Sequence, residues 1–325
     1  MVVRVIALED IEAARGRVAG LVHRTPLVRS STLSEAAGTN VYLKLELFQK
    51  TGSFKPRGAF NQLRVLMDES GADRFVGVSG GNFAQGLAYA GSVLGVSTTV
   101  VMPATTPANY VEATRGYGGA VEFVDDIAAA IDRSHELGLA GATIAHPFDH
   151  PAMMAGDGTL GLEVVEDVPE LTDVFISVGG GGLITGVGSA IHALRPEARI
   201  WAVETDGAQV LHDSLAAGRA LSMTPTSLAR TLGSPYLSDV AYDFASQHAH
   251  RSLVVTDAMA YAAQVHLLER AKVLPELAAA CTLAGLWEVE GRFGPSDHVV
   301  LVLCGGNVSV ADLHGYQQRF GRAAG

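Results

Sequence analysis

The sequence predicts an α/β protein built as two doubly wound lobes with mainly parallel sheets. Two observations carry this. Across 72–145, short apolar or β-branched runs at 75–78, 98–102 and 120–124 alternate with stretches of helical period at 82–94, 107–117 and 126–139. From residue 153 onward the alternation returns in longer pieces. Strands that alternate with helices call for a parallel sheet covered on both faces. We expect 72–145 to be a small inserted domain, and 1–71 plus 146–325 to form a large one.

In chain order, Leu8, Ile11, Ala14, Val18 and Leu21 recur at helical spacing, with Asp10 and Glu12 in the first turn, predicting a helix over 8–22. Residues 23–27 turn into an extended piece. A short helix over 32–37 stops at Gly38, and 41–47 alternates as a strand. Thr51, Gly52 and Ser53 are turn residues, and Pro56 suits the first position of a helix running to Met67. In the second half, helices are expected at 153–167, 182–194, 257–271 and 277–289. Strands are expected at 174–178, 200–204, 253–256 and 299–303. Residues 214–236, rich in Ser, Ala, Gly and Pro, are expected to loop across the surface. In such folds a ligand sits between lobes, at the carboxyl ends of strands.

The chain has 325 residues, 48% hydrophobic and 18% charged, which suits a folded enzyme-sized protein. A net charge of −11 argues against a nucleic-acid partner and leaves small-molecule chemistry as the default. Cys281 and Cys304 allow at most one bridge, consistent with a reducing cytoplasm. Residues 1–10 turn polar early and lack a signal-peptide cleavage pattern, so export is not expected. No apolar stretch approaches the roughly 18 residues that a membrane span requires. No appended regulatory domain is expected after Gly325.

Four stretches carry chemistry. Lys55 sits on a strand-to-helix turn beside Phe54 and Phe60, where lost hydration lowers an ammonium's proton affinity and makes it a nucleophile. A cation at a helix N-terminus opposes the macrodipole and asks for a reason. In Ser177-Val-Gly-Gly-Gly-Gly-Leu-Ile-Thr-Gly186, four glycines follow an apolar strand and open a helix, so bare backbone N–H groups can curl around an anion. The run has no lysine for a triphosphate loop. It also lacks dinucleotide glycine spacing, although Glu204 falls about where a ribose-binding acid would. Ser79-Gly-Gly-Asn-Phe-Ala-Gln85 offers amides and a hydroxyl to a carboxylate, and Leu301-Val-Leu-Cys-Gly-Gly-Asn307 ends a buried strand. His146, Asp149 and His150 lie among prolines, and no metal site is expected there.

The run Lys44-Leu-Glu-Leu-Phe-Gln-Lys-Thr-Gly-Ser-Phe-Lys-Pro-Arg-Gly-Ala59 resembles the signature of the fold-type II pyridoxal-phosphate enzymes, in the threonine and serine dehydratase and serine racemase branch. The glycine run and the 304–307 segment resemble that family's motifs in the same order. The resemblance implies a tryptophan-synthase-β-like fold, with pyridoxal 5'-phosphate carried by Lys55, which is also the catalytic base. It implies that Phe54, Asn82, Gly179, Gly180, Gly181, Gly182, Leu183 and Cys304 bind the cofactor. By the same match Ser79, Gly80, Gly81, Asn82 and Phe83 hold the substrate. The implied reaction is α,β-elimination of a β-hydroxy amino acid, L-threonine or L-serine, to a 2-oxo acid and ammonia, in a cytoplasmic enzyme expected to be a homodimer.

Several departures refine this. Gly80 replaces the hydroxyl residue that serine racemases use as a second acid/base, which favours elimination. Phe83 replaces the usual His and, with Gly80, leaves room for a bulkier substrate such as a phenylserine. A thiol at Cys304 is too weak a partner to keep a pyridine nitrogen protonated, which also favours elimination. Glu204 and Ala208 match two positions of the racemases' cation site, but Val210 stands where a third, acidic ligand would fall. Pro275-Glu276 reverses the family's Glu-Pro, and Arg230-Thr231-Leu232-Gly233 replaces its Ala-Asp-Gly. Competing readings are β-replacement, racemisation, phenylserine or hydroxyaspartate dehydration, a vitamin-carrying protein without turnover, and a nicotinamide-dependent oxidoreductase.

Overall fold

A computed structural model describes residues 6–289 and 291–321; the first residues of the 1–10 segment read above, and Gly325, lie outside them. The first part of the chain runs α1 (Leu8–Val18), β1 (Leu27–Arg29), α2 (Ser31–Ala37), β2 (Asn40–Leu45) and α3 (Lys55–Ser70). It continues through β3 (Arg74–Val78), α4 (Asn82–Leu94), β4 (Ser97–Pro103), α5 (Ala108–Gly116), β5 (Ala120–Val124), α6 (Ile127–Leu139) and β6 (Thr143–Ile144). Next come α7 (Pro151–Asp167), β7 (Asp173–Ser177), α8 (Gly182–Leu194), β8 (Arg199–Thr205), α9 (Val210–Ala217), α10 (Asp239–His248) and β9 (Ala249–Val255). The last are α11 (Asp257–His266), α12 (Leu277–Glu288), β10 (His298–Leu303) and α13 (Val310–Phe320).

Among the described residues ten strands form two sheets. The larger has the order β1-β2-β10-β7-β8-β9, parallel except for the β1–β2 pair; the smaller, β5-β4-β3-β6, is wholly parallel. In the smaller sheet successive side chains serve opposite faces, as the pleat requires. Phe75, Val100 and Met102 pack with Phe83 and Leu87 of α4, while Val76 and Val101 meet Ala130 of α6. The sheet is therefore covered on both sides. In the larger sheet β7 and β10 are buried almost throughout around apolar centres, Val174 to Ile176 and Val299 to Leu303, with α12 lying along β7, β8, β9 and β10.

The differences from sequence expectation have local causes. The first helix ends at Val18 because Ala19 leaves helical geometry and Gly20 turns left-handed, so Leu21 packs from a turn. Strand β6 is two residues long, too short to carry a period. The segment 214–236 is not a surface loop throughout. It begins inside α9, and Ala229, Leu232 and Ser234 are buried. The helix expected to reach residue 271 ends as α11 at His266 and continues as one π turn, Leu267–Ala271.

Beneath α3 lies a buried ionic cluster. Arg57 donates to Glu46 at 2.9 and 2.8 Å, to Glu163 at 2.7 and 3.0 Å, to Thr159 Oγ1 and to the His23 carbonyl. Lys44 Nζ meets Glu163 at 2.5 Å and the Thr25 carbonyl at 2.9 Å. Two cations and two anions, drawn from β2, the turn after it, α3 and α7, neutralise each other out of water. Burial alone would push Glu46 up, but the Arg57 guanidinium outweighs it and holds the carboxyl below its ordinary range. Arg57→Met leaves Glu46 and half of Glu163 uncompensated. We expect a loss of about 3–5 kcal/mol in urea unfolding; a loss below about 1 kcal/mol would contradict the clamp.

Candidate active site

A cavity of about 560 Å³ opens at the carboxyl ends of β3, β7 and β10. All the residues that the resemblance assigns to cofactor and substrate border it. Phe54 and Lys55 come from the start of α3, and Ser79, Gly80, Gly81, Asn82 and Phe83 from the β3–α4 junction. Gly179, Gly180, Gly181, Gly182 and Leu183 come from the β7–α8 junction, and Cys304 follows β10.

Lys55 keeps a window on the cavity while its amine sits deep. Nζ donates to the Pro147 carbonyl at 2.5 Å, 4.8 Å from the Phe54 ring centre and 6.0 Å from that of Phe83. Phe60, the sequence's second candidate for this shield, instead packs edge-on against Tyr89. Burial lowers the proton affinity of the amine, and the charge of Asp157 opposes the shift. The result is a lysine biased toward the free amine.

The backbone that presents Lys55 is tied to the far end of the chain. Phe54 N–H donates to the Cys304 carbonyl at 3.0 Å, and Gly306 N–H to the Gly52 carbonyl at 2.9 Å. Asn307 Nδ2 reaches both the Thr51 carbonyl and Asn82 Oδ1 at 2.8 Å. Thr51 has φ 63°, in the left-handed region, held there by this bond and by the helical turns around it. Cys304 Sγ lies 3.3 Å from Ser177 Oγ, and burial pushes the thiol up to about 12, so it stands as a neutral donor or acceptor.

The glycine run is required for packing as well as for its open face. A Cβ on Gly179 would fall 3.0 Å from the Leu232 carbonyl, and one on Gly182 at the same distance from the Phe148 carbonyl. Gly181 has φ 94° and lies against Ala241. The first amides of α8 have no acceptor inside their helix and carry the positive end of its dipole. These features fit a phosphate group. With the amine of Lys55, they fit pyridoxal phosphate.

Asn82 is pinned at both ends, because Oδ1 accepts from Asn307 and Nδ2 donates to Glu276 Oε1 at 2.8 Å. Among the described residues Nδ2 has no second acceptor. Glu276 also accepts from Thr231 Oγ1 at 2.7 Å, while its buried Oε2 has no partner among the described residues. Burial pushes this carboxyl up to about 7. The reversed Pro-Glu and the altered 230–233 segment thus meet each other at Thr231 and Glu276.

Across the cavity, His146 Nδ1 accepts from the Asp149 amide at 2.7 Å, and burial lowers the ring to about 4. The neutral ring must then carry its hydrogen on Nε2, 3.0 Å from the Tyr236 hydroxyl, which points on to Asp149 at 3.4 Å. His150 caps α7 instead of joining them. Among the described residues no group of three His, Cys, Asp or Glu side chains is placed to hold a metal ion. Glu204 accepts the Leu211 and His212 amides, both at 2.8 Å, at the start of α9, so its carboxylate is used inside the fold.

One sequence inference needs correction. Gly80 does not open space for a larger substrate, because Thr106 Oγ1 lies 2.7 Å from where a Cβ would stand. Sequence reasoning also passed over Asp157, Glu163 and Tyr236, and it named Thr231 only as a departure from the family pattern. For the two acids a signal existed: they are the only charges within the apolar stretch 153–165, where solvated side chains have no place.

A family model described as pyridoxal-phosphate dependent enzyme matches residues 18–305. An L-threonine ammonia-lyase of Thermotoga maritima is 38% identical over 94% of this chain and 76% of its own length. The structure of maize serine racemase superposes with a TM-score of 0.91 at 31% identity, covering 97% of this chain and 98% of that one. The structure of the T.th. threonine deaminase gives 0.86 at 34% identity, over 93% and 99%. A match running from the end of the first helix to the loop behind Cys304, with relatives aligned along most of their lengths, decides the question: the chain belongs to the pyridoxal-phosphate-dependent enzymes.

Proposed function

We propose that the protein is an ammonia-lyase that removes the β-hydroxyl and then the amino group of L-threonine or L-serine, giving a 2-oxo acid and ammonia. The observation that carries the reading is the dehydrated Lys55 amine sharing one cavity with the glycine amides and the 79–83 junction. When bound, pyridoxal phosphate supplies an aldehyde for an amine and a ring that withdraws electrons from the substrate's α-carbon.

The chain's own residues do the rest. The amides at Gly179, Gly180, Gly181, Gly182 and Leu183 would receive the phosphate, and Phe54, Asn82 and the neutral Cys304 thiol would hold the ring. Ser79, Gly80, Gly81, Asn82 and Phe83 bind the substrate carboxylate and side chain. Lys55 would take the α-proton on Nζ, a role its lowered proton affinity suits. Phe83 and Phe148 keep water from the reacting carbon. In this reading 72–145 is a substrate-loop domain set against a cofactor-binding domain of 1–71 and 146–325. We further propose a cytoplasmic homodimer.

Racemisation is the second reading, favoured by the likeness to maize serine racemase. It predicts α-proton exchange without ammonia release, whereas the glycine at residue 80 favours elimination.

Two outcomes test the site. Lys55→Ala should lower turnover of threonine and serine below about 1% of wild type, by loss of base and anchor together. Borohydride reduction followed by peptide mapping should place the pyridoxyl group on Lys55; an adduct elsewhere, or retained turnover, refutes the assignment. The second concerns pH. Glu276 has its proton affinity raised in the fold, so its stabilising contribution is complete below the ordinary value of 4.5 and lost as pH rises through about 7. In Glu276→Gln this loss should vanish, so wild type should weaken relative to the variant by on the order of 3 kcal/mol between pH 4 and 8. Parallel urea-unfolding curves across that range would count against a buried acid here.

A further inference from the structure

Asp157 is used by nothing described so far. It is fully buried between α3 and α7, and among the described buried carboxyls it alone has both oxygens without a hydrogen bond. The Gly58 amide approaches it without reaching hydrogen-bond geometry. A carboxyl sealed from water with no donor is costly, and an apolar or amide side chain would cost less in packing terms alone. Its presence asks for a cation that needs it.

Two cations lie near. Arg57 is spent, because Glu46, Glu163, Thr159 and the His23 carbonyl take up its guanidinium hydrogens. Lys55 is not, since among the described residues its one hydrogen-bond acceptor is the uncharged Pro147 carbonyl. The helices place the pair. The backbones of α3 and α7 nearly touch at two glycines, a Cβ on Gly156 falling 2.7 Å from Gly58 Cα and one on Gly58 falling 2.7 Å from Asp157 Oδ1. Gly58 is three residues after Lys55, on the same side of the helix, so the carboxyl lies beneath the first turn that carries the lysine.

We propose that Asp157 is a positioning residue for Lys55, the fixed counter-charge that lets this amine take up a proton inside a dry cavity and release it again. The inference rests on the reading of Lys55 as the cofactor lysine and base. The two charges act on each other through space, not as a contact pair. The other charged or titratable groups facing Lys55 are Cys304, neutral by burial, and His146, also neutral. Those facing Asp157 are Arg57 and Glu46, which are paired with each other. When the α-proton arrives on Nζ, an ammonium forms where water cannot solvate it, and the carboxylate below supplies the compensating field. No proton needs to pass between the two groups.

The test uses the full chain stripped of cofactor. Pyridoxal 5'-phosphate is added across a range of pH, and the rate of its covalent attachment is read by borohydride trapping and peptide mapping, independently of turnover. Attachment requires the unprotonated amine. Asp157→Asn keeps shape and removes the charge, so its midpoint should move to lower pH by about one unit or more. Asp157→Glu, which keeps the charge, should move it less. Coincident profiles for wild type and Asp157→Asn, with the label on Lys55 in both, overturn the inference and leave the role of Lys55 intact. A wild-type label on another residue overturns both. Should Asp157→Asn fail to fold, the carboxyl stretching band of the wild type decides by infrared titration. Lys55→Met should raise the pH at which that band disappears, and an unmoved band overturns the proposal.

Discussion

The buried charge cluster around Arg57 is the constraint on which the site stands. A guanidinium with its hydrogens shared between two carboxylates has one geometry in which all its bonds are made. Because Glu46 follows β2, Arg57 lies in α3 and Glu163 in α7, that geometry fixes the start of α3 against two neighbours. Lys55 is two residues from Arg57. The position of the reactive amine is therefore set by an interaction that never touches a ligand, and its buried ions are tolerable only because every partner is present.

A second set of ties closes the site from the other side. Residues 51–54 pair with 304–307 at separations of up to 256 positions of sequence, and Asn307 passes the connection to Asn82 and so to Glu276. Asn82 opens α4, which packs on the smaller sheet, whereas Cys304 follows a central strand of the larger one. The network thus spans both sheets. A shift of one sheet against the other would break bonds at Asn82, Asn307 and Glu276 together, so motion there is coupled to the orientation of the amide that faces the ligand.

How much of this was legible follows from what a linear pattern can encode. Helix α4 and strand β5 were readable to the residue, because Gly95 and the turn glycines at 118 and 119 punctuate them. The lysine turn, the glycine run and the 304–307 segment were readable because each needs particular residue types at consecutive positions. What could not be read is pairing. Nothing near Glu163 announces Lys44 or Arg57, and nothing near Glu276 announces Thr231. The misplacement of 214–236 has the same origin: its composition is that of a loop, but Leu232 and Ala229 are held inside by contacts with the core of the larger sheet. Gly80 misled for the opposite reason, since an absent side chain says nothing of a neighbour, Thr106, that fills the gap.

The acids of the site share a physical logic. Cys304 and Glu276 are each pushed toward the neutral form by burial, as is Lys55, and Asp157 is raised to about 7 by the same cause. Walls biased toward their neutral forms at Cys304 and Glu276 would add little field of their own against a phosphate, which the oriented amides of the α8 N-terminus would hold. The few charges that remain act locally. In the proposed roles, an α-proton would pass to an amine whose ammonium form is made acceptable by one carboxyl below it. Burial on this scale costs stability, and the Arg57 cluster offsets part of that cost by locking the same helix. The reactivity of Lys55 and the rigidity of its support therefore arise from one arrangement of α3 between β2 and α7.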